Sequence, residues 1–219
     1  MEADACAELV KTCENVNKAQ VNVLVGDADS STIAKVRGKV KHTVEKWSDI
    51  THAKKAFGGS LYGLQKKHKE LSTKVINYLQ KCFSYAIKQN KDDPQGIRKN
   101  LRAIVLHAFG NHSSCGISWC KYLKDPVGDR HTTLPHGKDL EGEELKKDLM
   151  QVTEVYCQNA EKLVPLDSSQ ANEALNNTIG SKTPKIGHYG SSESNDYRVA
   201  CAVGQKNIGH SFVTQVSNI

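Results

Sequence analysis

At 219 residues, with 38% hydrophobic and 6% aromatic side chains, the chain is long enough for one substantial core, or for a small core with a helical lobe. It is too polar to span a membrane, since no apolar run approaches the roughly 18 residues that a crossing helix needs. The net charge of +6 is unevenly placed: positions 35–102 carry 17 Lys and Arg against 5 Asp and Glu, leaving the rest net acidic. Such a stretch reads either as a set of solvated helix faces or as a surface for nucleic-acid phosphates. The seven cysteines do not resemble a secreted disulfide framework, because most sit singly within helical patterns and no leader-like segment is present. The expected compartment is reducing, cytoplasmic or nuclear.

Residues 2–16 place Ala3, Ala7 and Val10 at helical spacing. Val21–Val25 is short and β-branched and predicts a buried strand. Ser30, Ser31 and Thr32 can cap a helix carrying Ile33, Val36 and Val40. Val44–Ser48 is a second, weaker strand. From His52 to Gln89 apolar residues recur every three to four positions, with Gly58 and Gly59 expected to mark a break near the start. Asp92, Asp93 and Pro94 form a turn leading into a helix with Ile97, Leu101, Ile104 and Val105 inward. Periodicity stops between Gly110 and Gly142, where a loop of that length needs its own staple or is disordered. Glu143–Leu163 is helical again, Ser168 or Ser169 caps a helix running to about Ile179, and Tyr197–Gln205 forms a last helical island. Two strands cannot form a stable sheet alone, so the sheet is expected to be incomplete or completed elsewhere.

Three acidic settings stand out. VNVLVGDAD over Val21–Asp29 ends a strand in two carboxylates, Asp27 and Asp29. A strand end holds metal ligands rigidly beside an open loop, although D-x-D-S-S is equally common as a turn and helix cap. Asp49 and His52 follow the second strand in D-x-x-H spacing. One helical turn would bring them together as a carboxylate–imidazole pair or on one metal; a capping Asp with a surface His is the plainer alternative. Glu173 opens the late helix with Asn172 and Asn176 around it, a place where the helix dipole favours any acid. Acids far apart in sequence suit a two-metal phosphoryl-transfer site.

A separate signal is the Cys/His loop at about 110–137. His112, Cys115 and Cys120, with His131 or His136 following, offer a tetrahedral zinc set, and a polar loop without a core gains most from such a staple. His112, Cys115, Cys120 and His131 form the expected set. Free thiols beside packed histidines are the alternative, and His107 on the preceding helix reads as structural.

Taken in order, GDADSSTIAKV, KWSDITHAKK, HAFGNHSSCGISWCKY and SSQANEALNNTIGSKTPK resemble the Mutator-like transposase domain of animal mobile elements. The resemblance extends over nearly the whole chain. It implies an α+β, predominantly helical protein: a partial RNase H-like core with its first strands missing, and a large helical insertion. The implied divisions are 1–52 for the partial core, 53–165 for the insertion, and 166–219 for the return to the core. It implies a DDE nuclease that cleaves and joins DNA with two Mg²⁺ or Mn²⁺ ions. Asp27 matches the second catalytic aspartate and Glu173 the third acid, with Asp29 as the fallback for Asp27. Asp49 and His52 match the family's D-x-x-H motif, and Asn172 and Asn176 belong to the setting of Glu173. Lys54, Lys55, Lys66, Lys67 and Lys69 in the insertion suit the DNA backbone.

No Asp on an apolar run precedes Asp27, so the sequence reads as the C-terminal portion of such a domain, partial or degenerate and lacking the first catalytic Asp. The expected partner is DNA and not a membrane, the expected state a homo-oligomer as for transposases, and the expected place the nucleus. The alternative is a non-catalytic DNA-binding remnant or a domesticated interaction protein.

Overall fold

The computed structural model describes residues 2–26, 29–128, 131, 134–165, 170–184, 187, 189, 192–209 and 211. It forms two compact units, residues 1–168 and 169–219.

The first unit begins with α1 (Glu2–Asn17), β1 (Val23–Gly26), α2 (Ser30–Lys39) and β2 (Glu45–Ser48). The strands pair in parallel, Val23 opposite Glu45 and Gly26 opposite Ser48, with α2 as the crossover that parallel pairing requires. Ala7 and Val10 of α1 meet Ile33 and Val36 of α2 together with Val40 and Val44. Lys35 bridges to Asp4 at 2.8 Å and Lys39 to Glu8, so ion pairs flank this seam. The core is small, and each buried Val in it contributes about 1.5–3 kcal/mol.

A ring of four helices follows: α3 (Ile50–Gln65), α4 (Thr73–Lys88), α5 (Pro94–Ala108) and α7 (Glu143–Gln158), with short α6 (Lys121–Lys124) between the last two. α3 packs on α4, α4 on α5, α5 on α7 and α7 back on α3. Their inward positions recur at the spacing seen in the sequence: Val75, Ile76, Leu79, Phe83 and Ile87 on α4, and Ile97, Leu101, Ile104 and Val105 on α5, are buried. Phe57 stacks on Phe83 with ring centroids 4.6 Å apart, and Tyr156 meets both edge-on.

The expected break at Gly58 and Gly59 is not where the chain turns: α3 runs through both glycines and ends at Gln65. Gly58 serves close packing instead, because a Cβ there would collide with the side chain of Gln80 on α4. The turn falls at residues 66–72, where buried His68 bonds Asp148 of α7 at 2.8 Å and the Ser72 hydroxyl caps α4. That bond to His68, with Lys67 second, holds the Asp148 carboxyl below its ordinary range.

The second unit contains α8 (Gln170–Lys182) and α9 (Glu193–Ile208), packed on each other. The expected caps of α8, Ser168 and Ser169, lie outside the described residues. In α9 the Ser192 side chain accepts the Asn195 N–H, and the helix extends beyond the island read from sequence. Among the described residues no helix is long and apolar enough to cross a membrane.

Candidate functional site: a His/Cys cluster and dispersed acids

The segment that looked unstructured in sequence holds the tightest gathering of chemistry-bearing side chains. Its entry is set by the end of α5. Gly110, at φ +73°, donates to the His107 carbonyl at 3.1 Å, and Asn111 donates to the Leu106 carbonyl at 3.0 Å. This paired closure needs a left-handed residue, which glycine adopts without a Cβ penalty. The chain is thereby reversed directly after His107. The Asn111 side chain then accepts the Ser113 N–H at 3.1 Å, and Cys115 N–H bonds the His112 carbonyl at 3.1 Å. A second turn carries Cys120 N–H to the Gly116 carbonyl at 3.0 Å.

These turns bring one ligand atom each from His107, His112, Cys115 and Cys120 within 4.8 Å of one another. The two imidazole Nδ1 atoms are 3.0 Å apart. Cys115 Sγ lies 3.5 Å from His107 Nδ1 and 4.0 Å from His112 Nδ1. Cys120 Sγ lies 3.8 Å and 3.5 Å from the same two nitrogens. Cys120 is wholly buried. Burial, with Cys120 beside it, pushes the Cys115 thiol up to about 12, and burial pushes Cys82 on α4 to about 11. Tyr78, which hydrogen-bonds Cys82, is raised as well, mainly by burial. Thiols held neutral in this way ionise when a cation supplies the missing charge. The group could hold a metal such as Zn²⁺.

Aromatic rings wall the cluster. Tyr122 stacks on His112 with centroids 4.0 Å apart, Trp119 meets His107 edge-on at 5.2 Å, and His131 lies against His107 at 4.6 Å. The sequence reading chose His131 as fourth ligand and gave His107 a structural role; the four converging residues instead include His107. The overlooked signal was position: His107 lies in the last turn of a helix that a glycine closes three residues later, so it faces the returning chain. His136 lies at the short turn 135–137 at φ +58°.

The acids are placed differently. Asp29 caps α2, accepting Ser31 N–H at 2.9 Å, Thr32 N–H at 3.1 Å and both hydroxyls. The Thr32 hydroxyl, followed by the two backbone N–H groups, holds its carboxyl well below the usual range. Asp49, 1% exposed, caps α3 by accepting Thr51 N–H at 2.6 Å and His52 N–H at 3.0 Å. His52 is half-buried on α3. Asp27 lies outside the described residues, directly after β1, which ends at Gly26. Glu173 is half-buried in the first turn of α8, with Asn172 and Asn176 exposed on the same helix. Among the described residues no three carboxylates converge on a point that would hold a hard cation.

The basic segment is also less one-sided than its sequence suggests. Arg98 pairs with Glu161, Arg102 with Glu154, and Lys67 with Glu144 and Asp148, all acids from outside positions 35–102. Lys55, Lys66 and Lys69 are exposed and pair with no described acid; Lys54 is half-buried on α3.

A mixed α+β protein with a His/Cys cluster at a helix end, and with acids at strand and helix termini, is a class that many activities share. Comparison narrows it. A family model for Mutator-like transposases matches residues 1–120, more than half of the chain, so the chain belongs to the Mutator-like transposase family. The matched stretch runs from α1 through Cys120 and so includes all four members of the cluster, while Glu173 lies beyond it. No curated protein matches, and no solved structure does.

Proposed function

We propose that this chain is part of a DDE-type transposase domain with an RNase H-like core, acting on DNA in the nucleus. The observation that carries the proposal is the family match over residues 1–120. In the intact enzyme Asp27 and Glu173 are two of the three acids that hold Mg²⁺ or Mn²⁺ for strand cleavage and transfer. The end of β1 one residue before Asp27 supports the first assignment. The second rests on the N-E-x-x-N setting of Glu173. Asp49 and His52 stand in a supporting role, since imidazole is a poor ligand for Mg²⁺. Lys55, Lys66 and Lys69 supply sequence-independent contacts to phosphates, joined by Lys54 and Lys67, and the domain assembles as a homo-oligomer.

A second reading, a non-catalytic DNA-binding remnant, is favoured by one specific observation. Asp29, the fallback for Asp27, has both carboxylate oxygens bonded at the start of α2, and Asp49 accepts two N–H groups at the start of α3 through Oδ1.

Supercoiled plasmid incubated with the full chain and Mn²⁺ separates the two. Nicking that disappears in both Asp27→Ala and Glu173→Ala supports the catalytic assignment. DNA binding that weakens with salt, with no nicking and no change on adding Mn²⁺ or in Asp27→Ala and Glu173→Ala, selects the second reading. Absence of DNA binding at low salt overturns both.

A further inference from the structure

We propose that His107 Nδ1, His112 Nδ1, Cys115 Sγ and Cys120 Sγ bind one zinc ion that fastens the segment 110–124 to the end of α5. His131 is the packing wall of this site and not a ligand.

The argument begins with valence. A neutral imidazole nitrogen offers one lone pair or one hydrogen in the ring plane. Yet each Nδ1 here has three heavy atoms around it at 3.0–4.0 Å: the other Nδ1 and both sulfurs. A single N–H···N bond accounts for the 3.0 Å edge alone. It leaves four sulfur–nitrogen approaches that a set of pairwise hydrogen bonds cannot satisfy together. A cation at the centre serves all four groups at once.

Metric detail agrees. Zinc takes nitrogen at roughly 2.0–2.1 Å and thiolate sulfur at about 2.3 Å in tetrahedral array. Those lengths require N···N edges of about 3.3 Å and N···S edges of about 3.6 Å. The four N···S edges of 3.5, 3.5, 3.8 and 4.0 Å bracket that value, and the N···N edge is slightly short. Two thiolates with two imidazoles select zinc over magnesium or calcium, which prefer oxygen.

The surroundings complete the site. Segment 110–128 contributes only Cys120 to the buried apolar residues, so apolar burial alone does little to hold it. His131 is 9% exposed, and among the described residues neither ring nitrogen has a hydrogen-bond partner. Its ring lies against His107, tilted by 34° with centroids 4.6 Å apart, and Asp139 Oδ1 stands 3.7 Å from its Nδ1. In this position it screens the site from water and orients the His107 ring, while His112, at 6.0 Å between centroids, is walled by Tyr122.

The test uses the full chain, purified with zinc and then dialysed, with metal content measured by elemental analysis. One zinc per chain is expected, falling at least tenfold in Cys115→Ser, Cys120→Ser and His107→Asn and staying near one in His131→Gln. Because a variant can fail to fold, Co²⁺ is also added to the metal-stripped parent chain. Visible d–d bands of a tetrahedral site, with a near-ultraviolet thiolate-to-cobalt band, are expected. No bound zinc together with no such bands would overturn the site. Zinc kept in His107→Asn but lost in His131→Gln would overturn the ligand set.

Discussion

The four-helix ring and the Cys/His segment that interrupts it are held by opposite means. In the ring Phe83, Leu79, Leu101 and Leu149 are almost wholly buried, and cohesion is spread over many weak contacts. Between Gly110 and Gly128 the large apolar groups Ile117 and Val127 are exposed, and order comes from four polar atoms meeting at one point. The first arrangement tolerates any one conservative change. With the proposed zinc bound, the second depends on every member, because three ligands hold a tetrahedral metal far less tightly than four.

Core truncation tests the ring most severely. Phe83→Ala removes the ring that stacks on Phe57 and touches Tyr156; a loss of about 3–5 kcal/mol is expected in denaturant unfolding, with zinc content unchanged where the protein remains folded. Metal removal tests the segment. If zinc is present at a hundred times its dissociation constant, stripping it costs about 2.7 kcal/mol. The loss should appear as early exchange of amides in 110–124 while α4 stays protected. Zinc affinity should also fall with decreasing pH, since both thiols must ionise to bind. An α4 that loses protection together with the segment would show that the two regions are one cooperative unit.

The glycine pair sharpens the account of the ring. Gly58→Leu pushes into Gln80 and should cost about 1–3 kcal/mol. Gly59→Ala meets nothing within 4 Å and should stabilise by about 0.5–1 kcal/mol, so thermal midpoints should move in opposite directions. The smallest effect concerns the β1–α2 region. The carboxyl of Asp29 is lowered in the folded chain, so its contribution is present above the unfolded value of about 3.9 and disappears as pH falls below it. Asp29→Asn, which still caps, should leave the midpoint near neutral pH almost unchanged and flatten its decline in acid.

Much of the fold was legible because its elements are locally specified. Periodicity located α1, α4, α5 and α7; β-branching located β1; and the Ser30–Thr32 and Asp93–Pro94 signals located two helix starts. Gly58 and Gly59 misled because glycine reads as a breaker when its neighbour across the helix interface is unknown. The same gap explains the charge pattern. Seventeen cations against five acids in one segment look largely unopposed until Glu144, Asp148, Glu154 and Glu161 of later sequence are folded against three of them, Lys67, Arg98 and Arg102.

Three of the four converging ligands, His112, Cys115 and Cys120, were readable from residue type and spacing. The fourth was not: residue type and spacing favoured His131, with His136 as its alternative, and read His107 as structural, whereas His107 is the one that folding brings to the other three. For Asp29 and Asp49 the sequence offered both a metal ligand and a helix cap, and folding shows the cap, with Ser31, Thr32, Thr51 and His52 N–H groups donating to them. Residue order by itself determined the family, the helical periods and the kinds of ligand available, because these are local properties of type and spacing. Only the tertiary structure decided which histidine closes the cluster and which cations keep an open charge, because both depend on distances between segments that the chain brings together by folding.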